Sequence, residues 1–287
     1  METLKEHLHK IASQIASFED EESQQNRPAG SASGGSRFEK EVSSGIAHFI
    51  ILLCKNNLAV PVRIQKELSG PFPRRLEYAG KDVVGVKSLL EKRWIVFNTS
   101  HLNLPEEDCP YTETMTVPDF WLRKEFPVEE WFDLHIENIE KMGVIPDGSE
   151  GVPFAGSEYK QIYRGLKTKF DGVILFIEEG NLVSKNLVEI KSAKSSNKQR
   201  IDGNAHERFA YQNLDYVEIG AIHRGTELLL LTNDAYVRYR NKYHTGFAVH
   251  AFRLSQAFSW YRFSMISSAE QYLRLFEGWI DWLGGRR

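Results

Sequence analysis

The chain has 287 residues, a formal net charge of -3, and 41% hydrophobic and 12% aromatic residues, ample for the core of one large domain with accessory helices or of a main domain plus a smaller one. That charge excludes the strongly basic profile of a nonspecific nucleic-acid binder, and no apolar run is long enough to span a bilayer. Cys54 and Cys109 show neither metal-ligand spacing nor a disulfide framework, and no secretory leader is visible, so a reduced, cytoplasmic protein is expected.

Leu4, Leu8, Ile11, Ile15 and Phe18 recur at three- and four-residue spacing, which predicts an amphipathic helix over 1–18. Residues 19–36 begin with Glu19-Asp20-Glu21-Glu22 and become rich in Gly, Ser, Ala and Pro, the composition of a flexible linker or mobile loop. A second helix is expected to start near Ser36, with Phe38, Val42, Ile46, Phe49, Ile50 and Leu53 on its apolar face, and opens the main domain, 37–287. Residues 81–92 read as helical, Trp94-Ile95-Val96-Phe97 as a strand, 101–121 as proline-bearing loops, and Glu129 to Met142 as a helix.

The most informative stretch comes next. Asp171-Gly172-Val173-Ile174-Leu175-Phe176 and Leu187-Val188-Glu189-Ile190-Lys191 read as strands joined through the turn formers Glu178-Glu179-Gly180-Asn181. Asp171 and Glu189 then converge on neighbouring strands. Glu189 and Lys191, two apart, share one face. Two carboxylates suit a hard divalent cation such as Mg2+, leaving coordination positions open for water and a phosphate oxygen. Lys191 is placed to touch an attacking water or to stabilise a charged transition state. Read alone, the same residues also fit a surface hairpin with a cross-strand ion pair.

Downstream, Gly203-Asn204-Ala205-His206-Glu207-Arg208 opens a helical pattern carried by Ala205, Phe209, Leu214 and Val217. Asn and Arg are the side chains that pair bidentately with adenine and guanine edges. Asn204 with Glu207 three residues on also fits a helix cap with its reciprocal partner. Between the two motifs, Lys194, Lys198 and Arg200, with Ser192, Ser195, Ser196 and Asn197, offer typical phosphate contacts or a solvated polar loop. Glu227 to Thr232 reads as a buried strand and Gly246 to Phe252 as another. Asn233 to Tyr243 is a mixed tyrosine and basic stretch. A C-terminal helix capped by Ser268 packs through Tyr272, Leu273, Phe276, Trp279 and Leu283.

The acid-x-lysine strand followed by Gly-Asn-Ala-x-Glu-Arg resembles the PD-(D/E)XK type II restriction endonucleases, EcoRI-like subgroup, over roughly 165 to 213. Phe170 stands where the family usually has proline, and the 191–203 stretch is short. The resemblance implies an α/β fold, a restriction-endonuclease-like mixed β-sheet core flanked by helices, behind an N-terminal helical region. It implies Asp171, Glu189 and Lys191 as catalytic residues, and Mg2+ held by Asp171 and Glu189. Glu39, in the Phe38-Glu39 pair of the second helix, matches an acid that approaches the metal, and it equally fits a solvated first-turn acid. Base reading by Asn204, Ala205, Glu207 and Arg208 is implied as well. The implied substrate is a short palindrome in double-stranded DNA, containing AATT or a close relation, cut to 5′-phosphate and 3′-hydroxyl ends. A homodimer suits a palindrome. A bacterial or archaeal host would carry a cognate DNA methyltransferase. Two rivals stay open: a PD-(D/E)XK nuclease of repair, mobile-element or modification-dependent role, and a catalytically silent DNA-binding module.

Overall fold

The computed structural model describes residues 2–18, 33–70, 75–105, 107, 109–127, 167–195, 197–201, 213, 216, 219–220, 225–240, 247–257 and 263–285. The 19–32 part of the expected linker, the 129–142 helix and the 203–208 motif lie outside them. The described chain is a mixed α/β structure around a nine-stranded sheet.

Five strands come from the N-terminal half: β1 (Ala59–Leu68), β2 (Arg75–Tyr78), β3 (Val83–Ser88), β4 (Arg93–Thr99) and β5 (Glu113–Pro118). A small hairpin, β6 (Glu125–Pro127) with β7 (Lys167–Lys169), stands apart from the sheet. The remaining strands are β8 (Gly172–Glu178), β9 (Asn181–Lys191), β10 (Thr226–Thr232) and β11 (Phe263–Ile266). The order is β11-β10-β9-β8-β4-β3-β1-β2, with β5 also paired to β1. The centre, from β9 through β1, is antiparallel, whereas β10 runs parallel to both β9 and β11. A parallel neighbour needs a crossover. Residues 213, 216, 219 and 220 are helical and lie within that crossover, with Asn213, Tyr216 and Ile219 buried at three-residue spacing.

The two sheet faces are filled differently. On one lie α1 (Glu2–Ala16), α2 (Ser33–Lys55) and α5 (Ala269–Leu283). The apolar stripes expected for these three helices are the ones buried there, packed on Val86, Ile95, Phe97, Ile174, Val188 and Ile190 of the sheet. Phe49 stacks on Phe276 at 5.1 Å, and Trp279 meets Phe97 edge-on at 5.0 Å. A Cβ on Gly45 would meet Ile15 Cδ1 at 2.5 Å, so a larger residue there would require the Ile15 side chain to shift where α1 crosses α2. Ser268 caps α5 by accepting from the Gln271 amide. The opposite face carries Val96, Phe126, Phe170, Val173, Leu175 and Leu187, with Tyr216 and Ile219 of the crossover helix.

Several expectations are corrected. Residues 81–92 form β3 and a turn, not a helix: Val83, Val84 and Val86 are β-branched and buried, and Leu89 and Leu90 are exposed in the turn that follows. Part of 101–121 is strand β5, pairing with β1 through main-chain bonds that its proline content does not prevent. The described part of the expected Gly246 to Phe252 strand, from Phe247 on, is not a strand. Phe247–Ala257 is helix α4, because its alternating start continues into a longer segment with no turn former. A one-turn helix, α3 (Ala235–Arg238), begins the 233–243 stretch. The second helix begins at Ser33, inside the expected linker. Cys54 and Cys109 form a disulfide, tying the end of α2 to the chain just before β5. Their separation of 55 residues concealed a pairing that only the tertiary fold creates. Among the described residues no helix is long and apolar enough to cross a membrane.

Candidate active site at the end of the β8–β9 hairpin

The turn expected between the two acidic strands is a two-residue hairpin loop. Glu179 (φ 51°) and Gly180 (φ 86°) both take positive φ, as the twist of a tight hairpin requires. Its register pairs Glu178 with Asn181 and Gly172 with Val188, so the far end of β9 projects beside Asp171. Gly172 makes this possible on the other side. A Cβ there would meet Thr99 Cγ2 at 2.6 Å and the Asn98 carbonyl oxygen at 3.0 Å, blocking the approach of β8 to β4.

Asp171 sits one residue before β8. Its Oδ2 accepts from the Ile190 amide at 2.7 Å, which fixes its carboxylate against the peptide that follows Glu189. Along β9, Val188 and Ile190 enter the helical layer, so Glu189 and Lys191 face the other side with Leu187. Glu189 is 1% exposed and forms an ion pair with Lys191. Glu39 approaches from α2. One turn further, Ser43 donates to the Ser100 carbonyl at 2.7 Å, and the Ser100 amide points to the Asp171 carbonyl at 3.5 Å. These contacts bring Glu39 within electrostatic range of Asp171, Lys191 and His101.

The electrostatics of the cluster are dominated by burial. Loss of water, reinforced by the Asp171 charge, pushes the Glu189 carboxyl up to about 7, with Lys191 and the Tyr216 hydroxyl working against it. Burial raises Asp171 too, opposed by Lys191 and by the Ile190 hydrogen bond. Glu39 is raised by burial and then by Asp171. Burial alone would lower the Lys191 ammonium, but Glu189, Asp171 and Glu39 together hold it above its ordinary value. Three carboxylates around one ammonium in a water-poor place repel one another, and a cation among them relieves that repulsion. Among the described residues no three His, Cys, Asp or Glu side chains form a ready-made metal cage. A magnesium site of the expected kind needs only one or two carboxylates besides water and phosphate, and Asp171 with Glu189 meets that need. The donor set therefore fits Mg2+.

Phe170, in the usual place of proline, is fully buried between the rings of Phe126 (5.7 Å) and Tyr216 (5.1 Å). It anchors the start of β8 by packing, where a proline would do so by restricting φ.

The polar loop after Lys191 is an internally bonded structure. Ser195 donates to the Arg200 carbonyl at 2.6 Å, and Asn197 accepts from the Gln199 and Arg200 amides. Asn233 holds Ala193 through two bonds, and the Ile201 amide donates to the Arg240 carbonyl at 2.8 Å. Ser195 and Asn197 are thus spent on shaping the loop. Lys198 and Arg200 are exposed on it, and Lys194 is half-buried. Asn204, Ala205, Glu207 and Arg208 lie outside the described residues.

Sequence reasoning gave no role to four groups the fold brings to the site: Tyr216, His101, Lys124 and Lys169. Lys169 is two residues from Asp171 and could have been noticed. The other three arrive through tertiary packing. No protein-family model and no curated protein matches the chain.

Proposed function

We propose that this protein is a Mg2+-dependent endonuclease of double-stranded DNA, with the restriction-endonuclease-like fold and the site-specific action of a type II restriction enzyme. The observation that carries the reading is the convergence of Asp171, Glu189 and Lys191 at one end of a hairpin, two carboxylates and an ammonium 18 to 20 residues apart in sequence. Supporting it are Glu39 on the preceding helix and the helical crossover from β9 to the parallel strand β10.

Asp171 and Glu189 would hold the metal, with Glu39 near. When bound, Mg2+ supplies Lewis acidity at the phosphorus centre and lowers the pKa of a coordinated water. The Ile190 amide keeps the Asp171 carboxylate aimed. Glu189 fixes the Lys191 ammonium, which then orients the attacking water or stabilises charge on the phosphate. The segment 202–208 follows the loop directly, so Asn204, Ala205, Glu207 and Arg208 would read bases close to the cut. Lys194, Lys198 and Arg200 would position the backbone. A palindromic site, AATT-containing on the strength of the motif, would be met by a homodimer, with a cognate methyltransferase protecting host DNA.

The test is digestion of a DNA of known sequence with Mg2+, followed by mapping of the fragment ends. Discrete fragments with 5′-phosphates at one short palindrome are expected. Structure-selective or methylation-dependent cutting would replace the restriction reading, and DNA left intact by folded protein would overturn it. Replacing Asn204 or Arg208 should damage specific cleavage far more than nonspecific DNA retention, which phosphate contacts dominate.

A further inference from the structure

After Thr99 the chain leaves β4 and crosses to β5 on the helical side of the sheet. Leu102, Leu104 and Cys109 hold that crossing down, buried in the helical layer. The Cys54–Cys109 bond ties it to α2, and the Thr112 amide donates to the Pro61 carbonyl at 3.2 Å. Between these anchors Asn103 and Glu107 stay exposed. The facing segment, from β2 to β3, is fixed as well. The Ala79 amide donates to the Ile64 carbonyl at 3.0 Å, and Gly80 turns the chain with φ 107°.

A cleft of about 530 Å3 lies between the two segments, the size of a small-ligand site. Its lining includes Tyr78, Lys81, Asn103, Leu104, Glu107 and Tyr111. The Arg63 guanidinium lies over the Tyr111 ring at 5.1 Å, which places that ring, and Tyr78 is 52% exposed. Ser195 and Asn197 are spent on their own loop. Here, among the described residues, no hydrogen bond or ion pair occupies the Tyr78 hydroxyl, the Lys81 ammonium, the Asn103 amide or the Glu107 carboxylate. The cleft also lies at the Asp171 end of the sheet. The register sets Val83 beside Asn98 and Thr99 beside Gly172, so the start of β3 is two strand spacings from the start of β8, roughly 10 Å.

This lining matches the parts of one nucleotide. Tyrosine rings offer stacking faces to a base. An amide and a carboxylate pair with base edges. A lysine suits a phosphate. We propose that the cleft binds an unstacked nucleotide of the DNA substrate, its base against Tyr78 and Tyr111, its edge on Asn103 and Glu107, and its phosphate on Lys81. The proposal rests on the nuclease reading and adds a nucleotide subsite to it. Such a nucleotide comes from inside the duplex, where extrusion is easiest at a mismatch, or from a single-stranded end.

The experiment uses the full-length protein with Ca2+ in place of Mg2+ and three probes. One is the paired duplex carrying the mapped site. The second has a single mismatch, moved stepwise through the site and its flanks, and the third has a single-stranded end. Circular dichroism and melting temperature establish that Tyr78→Ala, Tyr78→Phe and Lys81→Gln are folded. The wild type should bind a mismatched or a single-stranded-end probe about tenfold more tightly than the paired duplex, and the preferred one identifies the source. Tyr78→Ala should lose that preference, and Tyr78→Phe, which keeps the ring face, should retain it. Lys81→Gln should make the slope of log K against log salt less steep by about 0.7 to 0.9. Equal binding of all probes by the wild type, or folded Tyr78→Ala and Lys81→Gln that bind as the wild type does, overturns the subsite, and continued cleavage leaves the nuclease reading standing. An effect confined to a free deoxynucleoside 5′-phosphate, with DNA binding unaltered, also overturns the substrate contact. A wild type that neither binds nor cuts DNA overturns both.

Discussion

The two faces of the central sheet are made from the same strands and are filled differently. One receives Val188 and Ile190 of β9 into an aromatic layer built on Phe49, Phe97, Phe276 and Trp279. The other receives Lys185, Glu189 and Lys191 of the same strand, all with pKa values displaced by burial or by one another. Burying apolar surface stabilises by about 25 cal/mol per Å2, whereas burying a charge costs several kcal/mol unless it is well paired. The first face is therefore wholly stabilising, whereas the second sets its apolar cluster beside charged groups whose burial costs stability. β9 serves both because a strand alternates its side chains.

This contrast can be broken from either side. The largest effect is expected from Asp171→Ala and Lys191→Ala. Each should lower Mg2+-dependent cleavage by about a thousandfold or more, the scale of losing a catalytic acid, base or charge stabiliser. Lys191→Ala, which removes the ion pair of the buried Glu189, should also lower the melting temperature, so cleavage by both variants is measured well below it. Unchanged cleavage would remove both residues from the site.

Trp279→Ala attacks the other face. It should cost about 3–5 kcal/mol in urea unfolding, because the cavity opens among Phe49, Phe97 and Phe276. Cleavage measured well below the melting temperature should persist.

Lys185 gives a test by pH. Burial, with the Arg123 charge, lowers its ammonium from 10.5 to about 8 in the folded protein. Between those pH values the unfolded chain still holds a proton that the folded one has released. Stability contributed by this site therefore rises with pH across that window and is lowest below pH 8. Lys185→Met should flatten the rise, a difference on the order of 3 kcal/mol between the ends. Identical slopes for the two proteins would show that the group is not perturbed. The smallest effect is from metal alone. Saturating Mg2+ should raise wild-type stability by about 1–3 kcal/mol through its preference for the folded site, and should leave Asp171→Asn nearly unmoved.

Local sequence determined the elements whose patterning had one consistent reading. The stripes of α1, α2 and α5, the hairpin turn at Glu179-Gly180, the Ser268 cap and the shared face of Glu189 and Lys191 follow from periodicity, backbone sterics and capping, which act over a few residues. Local reading failed at 81–92 and 247–257. There short apolar patterns fit both helix and strand, and the partners that decide between them, such as β1 and β4 for β3, lie elsewhere in the chain.

For the candidate site the division is the same. The sequence alone named Asp171, Glu189 and Lys191, because their chemistry is written in residue type and spacing. Only the tertiary structure decided that Asp171 is locked to the Ile190 amide, that Glu39 reaches the cluster from α2, and that Lys124 and Lys169 stand beside it. It also joined Cys54 to Cys109. The physical reason is that these contacts depend on strand register and helix placement, which are set by burial summed over the whole sheet and by no single segment.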